Sequence, residues 1–278
     1  MNEEHAEFDP CTLLDEVLAL SHEAGRRILE IYERADHGVT EKADRSPLTE
    51  ADMASHRTLV AGLRRLTPDI PILSEESADI PWAVRRTWKR YWLIDPLDGT
   101  KEFIKRNGEF TVNVALVEDG VPVLGVVHVP VQALTYYACR GKGAFRQRDA
   151  APPEPIHVRR LGEGPVVVAG SRSHRGDSLD RFLERLGEHE FIGMGSALKL
   201  CLVAEGRADV YPRLGPTSEW DTAAAQAVVE QAGGRVTDLE LNPLRYNTKE
   251  SLLNPHFLVF GDAAKDWKAL LDEEAKRG

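Results

Sequence analysis

The stretch Tyr91–Thr100, read Tyr-Trp-Leu-Ile-Asp-Pro-Leu-Asp-Gly-Thr, constrains this chain more than any other. The apolar run Tyr91 to Ile94 has the length and bulk of a buried strand, and Asp95-Pro96 is expected to stop it abruptly. Pro96 fixes its own φ and biases Asp95 toward extended backbone, so the strand end is stiff. Asp98 comes three residues after Asp95, followed by Gly99, where backbone can approach closely, and by the hydroxyl of Thr100. Carboxylates this close repel one another, which suggests a hard cation between them. Residues 100–105 read as a short helix whose first amides suit a phosphate. Asp-Pro and Asp-Gly are equally ordinary turn dipeptides, so on this stretch alone metal chemistry and a plain turn both stay open.

The rest of the chain narrows the choice. With 278 residues, 42% of them hydrophobic and 29% charged, there is material for one large domain or two intimate ones. A formal charge of −10 argues against a nucleic-acid polymer or an anionic membrane as partner, though not against a small anion bound beside a metal. Cys11, Cys139 and Cys201 are odd in number and widely spaced, so neither a disulfide framework nor a zinc motif is indicated. An acidic N-terminus (Glu3, Glu4, Glu7, Asp9) and the lack of any apolar run of membrane-spanning length lead to the expectation of a cytoplasmic protein, with peripheral membrane association left open.

Taken in order, residues 11–33 read as an amphipathic helix entered through Asp9-Pro10, and a polar loop, His37–Pro47, holds Lys42. Thr49-Glu50-Ala51-Asp52 has capping-box spacing and opens a second helix. A short strand, Ile70–Leu73, delivers Glu75 and Glu76 to its end. Thr111–Val117, Val121–Val129 and Leu134–Arg140 read as an antiparallel meander, and the glycines at 141 and 143 with the prolines of 150–155 mark the best boundary. The chain is thus expected to divide into an α+β half, 1–150, carrying the metal site on an antiparallel sheet, and an α/β half, 151–278, completing the metal and substrate site. In the second half, strands at 166–169, 208–211, 235–237 and 256–260 alternate with helices at 177–186, 195–204, 222–232 and 263–274.

Segments ending in carboxylates recur where a strand or loop meets a turn: Glu75-Glu76, Asp95 with Asp98, and Trp220-Asp221. Each has a plain structural reading as well. Glu75 and Glu76 read as solvated loop charges, Asp221 as a helix N-cap, and Asp52 as the completion of its capping box. No Gly-x-Ser-x-Gly elbow and no phosphate loop occur, and the histidines show no metal-ligand spacing. An all-oxygen carboxylate set favours Mg²⁺ or Mn²⁺ over zinc.

The order Asp52, Glu75-Glu76, Asp95-Pro96-Leu97-Asp98-Gly99-Thr100, Trp220-Asp221, Gly233-Gly234 resembles the metal-dependent, lithium-sensitive phosphatases of the inositol monophosphatase superfamily. Asp-Gly-Thr-Lys-Glu-Phe (98–103), Gly-Ser-Ala-Leu-Lys (195–199) and Tyr-Pro-Arg-Leu-Gly-Pro-Thr (211–217) resemble the bacterial 3'(2'),5'-bisphosphate nucleotidases within it. Glu219, two residues before Asp221, departs from that pattern and touches substrate assignment rather than metal chemistry. The resemblance implies an α/β fold layered α-β-α-β-α, as in the sugar phosphatases. It implies that Glu75, Asp95, Asp98, Asp221 and the backbone carbonyl of Leu97 hold two or three Mg²⁺ ions, which clamp the attacking and leaving oxygens of a phosphoryl displacement. Thr100 and Asp52 would position and deprotonate the water, and the Gly99 and Thr100 amides would hold the phosphate. Ser196 and Lys199 would face the nucleotide. Arg213 either holds a second phosphate or pairs with one of the 45 acidic residues. The implied reaction is hydrolysis of the 3'-phosphate of adenosine 3',5'-bisphosphate to AMP, with the sulfated analogue as a further substrate. An inositol monophosphatase-type enzyme and a catalytically silent metal- and nucleotide-binding regulator are the alternatives, and monomer and homodimer are both open.

Overall fold

The computed structural model describes residues 8–34, 38–41, 47–171 and 176–271. A 3₁₀ turn, Pro10–Leu13, capped by Asp9 accepting from Cys11 N at 2.9 Å, leads into α1, Leu14–Tyr32. Val17, Ala24, Ile28 and Ile31 recur at three-to-four spacing on its buried face. A two-stranded ribbon, β1 (Thr40–Glu41) with β2 (Pro47–Leu48), precedes α2, Glu50–Leu66. The expected capping box is present, with Thr49 at the N-cap and Asp52 reaching back to it. The expected loop around Lys42 lies, for residues 42–46, outside the described residues.

The large sheet is built in chain order from β3 (Ile72–Ser74), β4 (Arg90–Asp98), β5 (Thr111–Glu118), β6 (Val121–Val129), β7 (Leu134–Cys139), β8 (Gly143–Arg148) and β9 (Glu154–Ile156). Short helices α3 (Trp82–Arg85) and α4 (Thr100–Ile104) flank β4, and only the β3–β4 pair is parallel. Two expectations need correction here. The strand does not stop at Asp95-Pro96: its register shifts between Asp95 and Asp98, and pairing resumes with Asp98 opposite Thr111. Pro96 has no N–H for the ladder, and the bulge absorbs that defect while bending the strand. Nor does the sheet end near Arg140. β8 and β9 extend it past the proline cluster, with Ala144 opposite Ile156.

The small sheet has the order β11-β10-β12-β14-β13. Its strands are β10 (Val166–Gly170), β11 (His189–Gly193), β12 (Val210–Arg213), β13 (Arg235–Asp238) and β14 (Phe257–Phe260). Between them run α5 (Asp177–Leu186), α6 (Leu198–Ala204) and α7 (Ala223–Gln231). β11 escaped the sequence reading, and α6 begins at Leu198 rather than Gly195 because Ser196 sits at φ +49°. The expected helix at 263–274 is, among the described residues, a 3₁₀ turn at Lys268–Leu270.

Alternation along β4 shows how the layers form. Trp92 and Ile94 point into a cluster with Val17, Ile28 and Leu59 of α1 and α2. Tyr91 and Leu93 point the other way, into a cluster shared with α6, α7 and the inner face of the small sheet. The small sheet's outer face, Val168, Val210 and Leu258, is covered by α5 and Trp267. The result is the expected α-β-α-β-α layering. α7 lies so near β6 that a Cβ on Gly125 would overlap the carbonyl oxygen of Ala224. Cys11 and Cys139 form a disulfide, 128 residues apart with Cα atoms 5.6 Å apart, which corrects the expectation that no cysteines pair. Only the packing of α1 across the large sheet brings them together, and spacing in the chain carries no trace of that. No helix among the described residues is long and apolar enough to cross a membrane.

Candidate active site

The site begins with the register of two parallel strands. Ser74 of β3 lies opposite Ile94 of β4, so the residues that follow, Glu75 and Asp95, emerge side by side and share a hydrogen bond. Asp95 is fully buried at the bulge, where its Oδ1 accepts from Leu97 N at 3.0 Å. Beyond it the chain turns through Gly99 at φ +95°, where an added Cβ would come within 3.1 Å of the Glu109 carbonyl oxygen. This turn starts α4 and aims Thr100 back at the bulge: its hydroxyl donates to Asp52 Oδ1 at 3.1 Å and lies 3.4 Å from Leu97 O. Ser55 of α2 donates to Pro96 O at 2.7 Å, which fixes the helix that carries Asp52 against the same turn.

Asp52 and Asp221 share a construction. Asp52 Oδ2 accepts from Thr49 N at 2.7 Å and Thr49 Oγ1 at 2.5 Å, while its other oxygen meets Thr100. Asp221 closes the 3₁₀ turn Glu219–Asp221, its Oδ2 accepting from Ser218 N at 2.8 Å. It is the third residue of a reciprocal box with Ser218, and Thr222 stands at the N-cap of α7. In both places one carboxylate serves a capping box and also faces the site, and in Asp52 the two tasks fall to different oxygens.

Asp95, Asp98 and Asp221 each offer an oxygen within 4.8 Å of the others. Burial pushes the Asp95 carboxyl well above the usual range, and the charges of Glu75, Asp98 and Asp221 push it further. Burial raises Asp221 to about 8, with the Asp98 charge adding to it. Asp98 is raised to about 6, burial being opposed by the Lys199 charge and the Ala197 N–H. Three converging carboxylates, Asp95 buried and Asp98 and Asp221 half-buried, with a neighbouring Glu75 are costly alone, and all of their donors are oxygens. That donor set fits a hard divalent cation, which would remove the repulsion.

A cavity of about 150 Å³ opens beside Asp98 and Asp221, with Gly99, Ser196, Lys199 and Arg213 in its wall. Thus Gly99, Asp98, Asp221, Ser196, Lys199 and Arg213 come together in one cavity wall, while Asp95 lies at the bulge and Thr100 of α4 meets Asp52 of α2. Among the described residues, Ser196 Oγ and Arg213 Nε are buried without a hydrogen-bond partner. Arg213 Nη2 donates to Pro216 O at 2.9 Å, and among the described residues Arg213 makes no ion pair. Lys199 is buried, and burial lowers its ammonium to about 8. Its Nζ donates to Ser196 O at 2.6 Å and lies 3.4 Å from Met194 O. Glu219 faces away from the cavity. It accepts from Asn247 N at 2.9 Å, and burial raises it to about 7 against the opposing pull of that N–H and of Lys249 and Arg85.

A family model described as the inositol monophosphatase family matches residues 11–274. The chain belongs to that family. Within it, the chain is 52% identical over 249 residues to the 3'(2'),5'-bisphosphate nucleotidase CysQ of Escherichia coli O157:H7, covering 89% of this chain and 99% of the relative. The crystal structure of CysQ from Bacteroides thetaiotaomicron superposes with a TM-score of 0.79 at 42% identity, over 90% of this chain and 97% of that one. The IMPase of Thermotoga maritima gives 0.77 at 30% identity, over 96% and 98%. The acidic cluster is in keeping with a metal-dependent phosphatase family.

Several site residues escaped the sequence reading. Asn113 of β5 donates to Asp98 Oδ2 at 3.4 Å and accepts from Thr111 Oγ1 at 2.9 Å. A lone amide in the apolar run 112–117 was its signal. Glu109 Oε2 accepts from Gly195 N at 2.8 Å, 86 residues away, and nothing in its neighbourhood in the chain marks it.

Proposed function

We propose that this chain is a Mg²⁺-dependent 3'(2'),5'-bisphosphate nucleotidase that hydrolyses the 3'-phosphate of adenosine 3',5'-bisphosphate to give AMP and phosphate. The carrying observation is that Ser196 and Arg213, whose Oγ and Nε are buried without a hydrogen-bond partner among the described residues, stand in the wall of the cavity beside the carboxylate cluster. A single phosphate gripped by the cluster leaves that wall unused, whereas a ribose and a second phosphate would extend to it. The likeness to proteins named as bisphosphate nucleotidases supports the same reading.

Glu75, Asp95, Asp98, Asp221 and the Leu97 carbonyl would hold two or three Mg²⁺ ions, which supply a nucleophilic water at neutral pH and stabilise charge on the leaving oxygen. Thr100 Oγ1, tethered to Asp52 Oδ1, orients the water, and Asp52 receives its proton. The Gly99 and Thr100 amides hold the scissile phosphate against that line of attack. Ser196, Lys199 and Arg213 form the nucleotide side of the cavity. We assign the reaction to the cytoplasm and to sulfur metabolism, with the sulfated analogue as a second substrate.

The test is kcat/KM for adenosine 3',5'-bisphosphate and for inositol 1-phosphate, with Mg²⁺, with Li⁺ added, and after exhaustive chelation. The bisphosphate should be the better substrate, Li⁺ should inhibit, and EDTA should abolish turnover. Faster turnover of inositol 1-phosphate would overturn the substrate, and full activity without divalent metal would overturn the cofactor. Arg213→Ala should cost about ten- to a hundredfold on the bisphosphate and far less on a small sugar monophosphate, as expected for one charge-assisted contact.

A further inference from the structure

The turn that carries Asp221 has little regular structure to lean on. β12 ends at Arg213 and α7 begins at Ala223, so the 3₁₀ turn Glu219–Asp221 hangs between them on irregular chain. A second irregular segment, residues 247–254, holds it. Ser218 bridges Leu253, Glu219 N donates to Leu252 O at 2.9 Å, and Asn254 N donates to Thr217 O at 2.8 Å. Asn254 Nδ2 donates to Ser218 O at 2.7 Å and to Thr222 Oγ1 at 3.0 Å, one before Asp221 in the chain and one after it.

The start of that segment is tied down in turn. Asn247 stands at φ +53°, a conformation that Asn adopts more readily than most residues with a Cβ. Its N–H donates to Glu219 Oε2 at 2.9 Å. Its side chain grips Arg85 twice, Oδ1 accepting from Nη1 at 2.7 Å and Nδ2 donating to the Arg85 carbonyl at 2.6 Å. Arg85 Nη1 also donates to Lys249 O at 3.2 Å, and Nη2 to Glu250 O. Arg85 is 2% exposed and Glu219 1%, yet among the described residues neither has an ion-pair partner. A buried charge is costly unless something answers it, and here Asn247 stands between guanidinium and carboxylate and bonds to both. Arg85 closes α3, on the stretch that runs from Glu75 to Asp95, whereas Asn247 and Glu219 come from the other half of the chain.

We propose that Arg85, Asn247 and Glu219 form a positioning relay that sets Asp221 against Asp95 and Asp98 and so governs metal affinity, with none of the three touching the metal. The inference rests on the reading of Asp221 as a metal ligand. Charge alone has the opposite sign at Arg85, which makes the relay testable. Removing a guanidinium removes repulsion on a nearby cation and would tighten its binding. Removing the relay frees the Asp221 turn and weakens binding, and groups one step behind metal ligands cost about ten- to a hundredfold in affinity when lost.

Mn²⁺, whose free ion is counted by electron paramagnetic resonance, is titrated into metal-stripped protein without substrate. The parent is compared with Arg85→Met, Asn247→Gly, Glu219→Ala and Glu219→Gln. Asn247→Gly keeps the N–H and accepts positive φ, so it cuts only the link to Arg85 and leaves both charges in place. Arg85→Met, Asn247→Gly and Glu219→Ala should each bind Mn²⁺ about tenfold more weakly. Glu219→Gln keeps an oxygen for the Asn247 N–H and should stay within about threefold of the parent. Binding as tight as the parent's, or tighter, in Arg85→Met and Asn247→Gly overturns the relay. An equal loss in Glu219→Gln and Glu219→Ala also overturns it, since charge acting through space would then suffice. If Arg85→Met fails to fold, Asn247→Gly decides alone, because no charge changes in it. A parent that binds no Mn²⁺ refutes the metal reading and the relay with it, whereas a parent that binds, with unaffected variants, refutes the relay only.

Discussion

Asp52 meets two demands with two oxygens, one on the Thr49 amide and hydroxyl and one on the Thr100 hydroxyl. Asparagine satisfies the first almost as well, since its carbonyl oxygen accepts from Thr49 and Asn is itself a good helix-start residue. It fails the second in the role we propose for it, because an amide cannot take a proton from a water that Thr100 would hold. Asp52→Asn should therefore shift the thermal midpoint by only a few degrees while kcat falls about a hundredfold or more. Thermal melts and steady-state rates on the one variant separate the two roles. Parent-like turnover would leave Asp52 as a cap and nothing else.

At the scale of elements, α1 lies on the sheet over a polar seam. His22 Nε2 of α1 and His128 Nδ1 of β6 each share a hydrogen bond with Thr135 Oγ1, at 2.9 Å, and their rings stand 4.8 Å apart. Burial brings His128 down to about 3 and the nearby His22 adds to that, while burial also lowers His22. Arg26 and Asp149 line the small cavity beside them. A histidine with a depressed folded pKa binds more protons unfolded than folded between about pH 3 and pH 6.5, so stability must fall as pH drops through that window. His128 alone should cost about 2 kcal/mol at pH 5 relative to pH 7. His128→Asn, which can keep the bond to Thr135, should flatten that part of the profile. Urea unfolding of both proteins at the two pH values measures it, and an unchanged slope would discard this seam as the acid-sensitive element. None of this pairing was legible in the sequence, whereas the helices that meet there were, because period and caps are local signals. The same division holds at the site. Asp95, Asp98, Gly99 and Thr100 could be read because one rigid turn carries them. Glu109 and Asn113 depend on contacts that exist only once the strands are in register. β8 and β9 were missed because glycines and prolines usually break structure; here Gly141 and Gly143 turn the chain from β7 into β8, and the prolines border β9, an edge strand, where a missing N–H costs little.

At the scale of the whole molecule, the bond between Cys11 and Cys139 staples the 3₁₀ turn before α1 to the end of β7. Closing a loop of 128 residues removes unfolded-state entropy equivalent to about 5 kcal/mol in the chain-entropy model. Reduction, or Cys11→Ser, should lower the unfolding free energy by about 2–5 kcal/mol, read as a fall in the urea midpoint at constant slope. In a reducing compartment the chain works without that margin. The bond also decides how the molecule answers a pulling force. Tension applied at the two ends bypasses everything between Cys11 and Cys139, so α1, α2 and β3–β6 carry no load while the bond stands. A single oxidised molecule drawn out between the tips of an optical trap should stop short, and adding a reductant should release roughly 450 Å of further extension as those 128 residues join the load path.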